Sequence, residues 1–127
     1  MSDSKIQLAS ASRILLGAIL VVFGLNDIFG FSPQPAPAPT AINFLTGLAT
    51  AAYFFPLLKL VEISCGMLLL SNRCTNLAVV ALVPVVTNIY AFHLFLDPGG
   101  LLVATVLAVL TIHCVHVRAD SLKVLLS

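Results

Sequence analysis

Residues 12–31 read SRILLGAILVVFGLNDIFGF, and this stretch decides the class of fold. After Arg13 no charged or amide side chain occurs until Asn26 and Asp27. About 20 helical residues at ~1.5 Å each span the ~30 Å hydrocarbon core of a bilayer. Residues 76–96 and 100–117 repeat that length and character. The block from Ala41 to Ser71 is too long for one crossing, at ~46 Å as a single helix, and it contains Pro56, which a helix interior disfavours. It is therefore divided into a surface helix over about 41–54 and a span over about 51–71, overlapping at the break. Spans one and two are joined by SPQPAPAPT (32–40), an extended proline-rich loop. Residues 72–75 join spans two and three. Asp97-Pro98-Gly99-Gly100 joins three and four, a turn in which proline stops the helix and glycine accepts positive φ. Short links make neighbours antiparallel. The expected fold is all-α: one integral membrane domain, a four-helix up-and-down bundle with a short extracytoplasmic surface helix between spans one and two.

Composition agrees. Hydrophobic residues make up 60% of the 127, charged residues 9%, and the mean hydropathy is +1.11. Soluble domains carry about 25% charged residues. Such a chain is neither an ordinary soluble domain nor a disordered one. Its net charge of +1 offers nothing to a nucleic acid, and its expected solvent is lipid. Lys5, Arg13, Arg73, Arg118 and Lys123 all fall on one side of a four-span arrangement, while the opposite loops carry no Lys or Arg. The positive-inside rule then places both termini in the cytoplasm. Span one is expected to be retained rather than cleaved as a signal peptide. Ala36-Pro37-Ala38 imitates a cleavage motif loosely, but Pro39 would follow the cut and only three spans would remain.

Ionisable groups inside a span cost about 2.5–3.5 kcal/mol each on insertion scales, so they need a reason. Asn26 and Asp27 lie in span one, Lys59 and Glu62 in span two, and Asn88, His93 and Asp97 in and after span three. Nearly all fall between the midplane and the outer surface in this topology. Lys59 and Glu62 are three residues apart and are expected to pair, as His93 and Asp97 are at spacing four. Gly17, Gly24 and Asp27 share one face of span one, a close-packing seam ending in a carboxylate, and Gly66 continues the Lys59–Glu62 face. Pro56 and Pro84 are expected to break their helices near the level of these polar groups. Two readings fit. The polar groups are interhelical glue, or Glu62, Asn88 and His93 line an outward-facing cavity in which Glu62 and His93 handle protons. His113, Cys114 and His116, with Cys74, invite a metal reading, but no carboxylate is nearby and no metal is expected. Cys65, Cys74 and Cys114 contain no CxxC. On the surface helix Asn43, Thr46 and Thr50 oppose Ile42, Phe44, Leu45 and Leu48, a pattern suited to the membrane interface.

RILLGAILVVFGLNDIFGF, AAYFFPLLKLVEISCGMLLL and LVPVVTNIYAFHLFLDPGG, in this order, resemble the DoxX family of small four-span membrane proteins. Asn26, Pro56, Glu62, Pro84, Asn88, His93, Asp97 and Pro98 match that family's pattern, and Lys59 and Asp27 depart from it. The resemblance implies a bundle in a bacterial inner membrane. It also implies an association with redox systems such as thiosulfate:quinone oxidoreductase, or an assembly role. Three functions follow as expectations. The first is a non-catalytic accessory subunit of a membrane complex, redox- or quinone-linked, working with other membrane subunits or as a homo-oligomer. The second is a small enzyme or binding protein that takes a lipophilic, quinone-like ligand or lipid at Asn26, Asp27, Lys59, Glu62, Asn88, His93 and Asp97. The third is a transporter or channel, which four tightly joined spans disfavour.

Overall fold

A computed structural model describes residues 2–127. Helix α1 runs over Asp3–Phe29, beginning nine residues before the apolar stretch. Ser2 caps it, its hydroxyl accepting from the Lys5 amide, and no proline or glycine interrupts the polar first turns. It ends at Gly30 in the left-handed region (φ 66°), whose amide donates to the Asn26 carbonyl at 2.7 Å. The proline-rich segment follows as a non-helical connection.

Helix α2 covers Pro39–Ala49, with proline in its first turn, where no amide hydrogen is needed. It starts earlier and stops earlier than its composition suggests. Ala41 is fully buried, Thr40 Oγ1 donates to the Leu96 carbonyl at 2.5 Å, and Phe44 meets Phe92 with ring centroids 5.7 Å apart. This helix therefore rests on the chain's third long helix.

Helix α3, Phe54–Ser71, follows a turn over residues 50–53. Pro56 was expected to break a helix; instead it lies in the first turn of α3, where a missing N–H costs nothing. Asn72 ends α3 at φ 56°, with the Arg73 amide returning to the Leu68 carbonyl at 3.0 Å. Helix α4, Thr75–Phe95, continues through Pro84, which also fails to break it. Pro98–Gly100 forms one 3-10 turn before α5, Leu101–Val117, and a short α6, Ala119–Leu122, closes the chain with a 3-10 turn.

Helices α1, α3 and α4 and the segment Pro98–Val117 are long and apolar enough to cross a bilayer. Each packs on the next and α5 returns to α1, so the chain is a four-helix up-and-down membrane bundle. Leu16, Leu20, Leu69, Val79, Leu82, Leu107 and Cys114 form its core. Leu77, Leu102 and Ile112 face outward, as lipid permits. One interface is much closer than the others. A Cβ on Gly17 would stand 2.8 Å from the Gly66 carbonyl oxygen, and one on Gly66 would stand 2.9 Å from the Gly17 oxygen. A Cβ on Gly24 would meet Ile63 at 2.6 Å. The seam read from span one is thus where the α1 and α3 backbones touch.

Candidate functional site

The end of the bundle away from the termini gathers most of the polar residues. α1 and α3 are antiparallel neighbours held close by glycine, so the last turns of α1 lie beside the first turns of α3. Lys59, in the second turn of α3, reaches Asp27 Oδ2 at 2.5 Å and Glu62 Oε2 at 3.0 Å. The expected pair is therefore a triad that crosses between helices. Glu62 is only 6% exposed, whereas the Asp27 side chain is 31% exposed. Two carboxylates and one ammonium leave a net charge of −1 when all are ionised. The loop compensates part of it: Gln34 Nε2 donates to Asp27 Oδ1 at 2.7 Å. Asn26, buried on α1, accepts from the Ser32 amide at 2.8 Å. These two residues in the last turn of α1 thus also hold the start of the proline-rich segment.

The polar residues of α4 lie in different surroundings. Asn88 is exposed, and its Nδ2 donates to the Pro84 carbonyl one turn back at 3.1 Å. It lines a groove of about 310 Å³ with Phe44, Ala91, Phe92, Phe95 and Leu96. His93 was expected to pair with the Asp97 carboxylate. Its Nδ1 instead lies 3.1 Å from the Asp97 backbone carbonyl. A carbonyl only accepts, so Nδ1 carries the proton in this contact. The ring also lies against the Gly100 backbone, where any Cβ would collide with it. His93 acts here as a clasp on the turn, and the Asp97 carbonyl also receives the Gly100 amide at 3.2 Å. Glu62 and His93 thus have separate partners, and neither lines the Asn88 groove.

A second groove, of about 770 Å³, runs between α4 and α5. Val86, Tyr90, Thr105, Val109, Ile112 and His116 are among its walls. Thr87, Thr105 and Thr111 turn their hydroxyls onto carbonyls four residues back, at 2.6, 2.7 and 2.8 Å, so the groove presents a nearly apolar surface. Sequence reasoning missed this groove, although hydroxyl residues on both spans were its signal. At the opposite end Arg13 donates to the Leu69 carbonyl, a cation on the negative end of α3. Among the described residues no three His, Cys, Asp or Glu side chains gather as a metal site, and the three cysteines are free.

Compared with known proteins, the chain matches the DoxX family model over residues 8–95, more than half its length. No curated protein and no solved structure gives a significant match.

Proposed function

The chain belongs to the DoxX family, and from that premise we propose that it is a non-catalytic accessory subunit of a membrane complex, redox- or quinone-linked. One observation carries the reading: the polar residues that a reaction would need are already engaged within the chain. Asp27, Lys59 and Glu62 satisfy one another, Asn26 and Gln34 hold the loop, and His93 clasps a turn. Such bonds stiffen a bundle and set the mutual rotation of its helices. A rigid, largely apolar four-helix body suits a subunit that positions or stabilises larger partners. The placement that goes with this reading is a bacterial inner membrane with both termini in the cytoplasm, supported by the five basic residues at one end. Thiol labelling of intact cells checks the orientation. A cysteine introduced at Ala36 reacts from outside and the native, exposed Cys74 does not.

Purification from native membranes in mild detergent tests the function. Membrane subunits in fixed stoichiometry are the expected result. A lone chain carrying a lipophilic molecule overturns it in favour of a second reading, which the Asn88 groove supports. Phe44, Phe92 and Phe95 there offer ring faces for a planar, quinone-like head group, and Asn88 offers an amide beside them. In that case Phe44→Ala and Asn88→Ala lower the amount of bound ligand without changing the yield of protein.

A further inference from the structure

Prolines alternate with other residues between Ser32 and Thr40, at positions 33, 35, 37 and 39. Each ring fixes its own φ near about −65° and drives the residue before it out of the helical region. Ala38 shows the result, with φ −62° and ψ 151°, the dihedrals of a polyproline II helix. Residues 30–37 are exposed, and the backbone of 33–37 makes no main-chain hydrogen bond. Its carbonyls are therefore free to accept. Both ends of this strap are tied down. Asn26 Oδ1 accepts from the Ser32 amide at 2.8 Å, and Asp27 Oδ1 accepts from Gln34 Nε2 at 2.7 Å. Thr40 Oγ1 donates to the Leu96 carbonyl at 2.5 Å. The tethers lie on α1 and at the end of α4, which stand diagonally across the bundle because α3 and α5 each pack on both. At ~3.1 Å per residue the strap covers about 19 Å from Ser32 to Ala38. That exceeds the ~13 Å diagonal of helices spaced about 9 Å apart. The strap thus passes from corner to corner of the bundle's outer end as a pre-formed segment facing water.

The chemistry of the strap selects its partner. No charged side chain occurs between Asp27 and Lys59, so a nucleic acid or an anionic lipid surface finds no counter-charge here. Between Ser32 and Thr40 there is no large aliphatic or aromatic side chain to insert into a bilayer. What remains is a set of proline rings, the methyl groups of Ala36 and Ala38, and a row of unpaired carbonyls. Aromatic ring faces flanked by N–H or O–H donors are the complement of such a surface. The ordering cost that weakens binding by a flexible loop is already met by the rings and the tethers. We propose that residues 33–39 are a docking ligand for an extracytoplasmic protein domain whose groove is lined by aromatic side chains and hydrogen-bond donors. This names the contact through which an accessory subunit holds a partner, and it rests on that reading and on the orientation that goes with it.

The complex purified from native membranes tests this, with the full-length chain carrying Pro35→Gly and Pro37→Gly together. Both rings are exposed, so the unfolding temperature of the chain should match the parent's. The dissociation constant for the co-purifying subunit should rise about tenfold, because glycine at both positions frees the backbone that proline had fixed. A second measurement keeps every proline. Benzoylphenylalanine in place of Ala36 is photo-activated in intact membranes, and the adduct is mapped by mass spectrometry. It should lie beside aromatic residues in an extracytoplasmic segment of the same subunit. The same probe in place of Tyr53, exposed at that end but off the strap, should not give this adduct. If the double variant is destabilised, the adduct alone decides. Equal retention of the subunit by a stable variant and the parent overturns the role of the strap and leaves the accessory reading standing. So does an adduct at Ala36 formed only with lipid, with a second copy of the chain or with a cytoplasmic segment. A chain that purifies alone, with its prolines intact or replaced, overturns both.

Discussion

The α1–α3 and α4–α5 interfaces are both antiparallel helix contacts in one bundle, yet they are built oppositely. The first is closed: glycine brings backbone against backbone, and an ionic triad bolts the two helices together near one end. The second is open along much of its length, with about 770 Å³ between helices whose hydroxyls face their own backbones. The same apolar composition therefore serves two purposes. Lipid tails are as apolar as leucine, so association in a membrane depends on fit and on polar contacts. Where both are present the helices lock; where neither is, a furrow remains for another apolar molecule.

The largest expected effect comes from removing the bolt. Lys59→Met leaves Asp27 and Glu62 facing each other without their cation, and unfolding in detergent should show a loss of about 3–5 kcal/mol. Replacing all three members with apolar residues should recover much of it; if it does not, the triad has a task beyond locking. Gly66→Leu comes next. The side chain would need the space of the Gly17 carbonyl and Val21, and a loss of about 1–3 kcal/mol is expected, with the helices pushed apart. A Gly66→Leu variant as stable as the parent would mean that the seam is not close-packed. Glu62→Gln should be milder, about 1 kcal/mol, because Lys59 keeps Asp27 and the new amide oxygen still accepts from it. A large loss there would identify Glu62 as the dominant partner of Lys59. Smallest of all should be Val109→Ala, within about 0.5 kcal/mol, since it trims an open wall. A bigger penalty would show that the groove is filled in the purified protein.

The four spans could be read because apolar length is a one-dimensional property. Lys59 and Glu62 could be paired because three residues on one helix fix their separation. The partner across the interface was less legible. Asp27 meets Lys59 only through the rotation and depth of α1 against α3, and helices apolar on every side carry little periodicity to reveal either. Pro56 is compatible with an interruption or a first turn, and only the position of the preceding turn decides between them. His93 shares a face with Asp97, but the chain bends after Leu96 and presents a carbonyl to the ring instead of a carboxylate. The anchoring of Asp27 by Gln34 depends on the path of a proline-rich loop, which side-chain spacing does not encode.

The lengths of the helices have a further consequence. At ~1.5 Å per residue, α3 with its 18 residues is about 27 Å long, whereas α1 with 27 residues is about 40 Å. α1 can extend past the hydrocarbon, but α3, fixed against it by glycine and one salt bridge, has no slack to offer a thick bilayer. The short helix then sets the hydrophobic thickness that the whole body prefers. In a membrane much thicker than about 30 Å, the lipids around α3 must thin or the entrance to the triad must be dragged inward, each at a fraction of a kcal/mol per ångström of mismatch. Bilayer thickness therefore acts as a mechanical load on the ionic end of this protein.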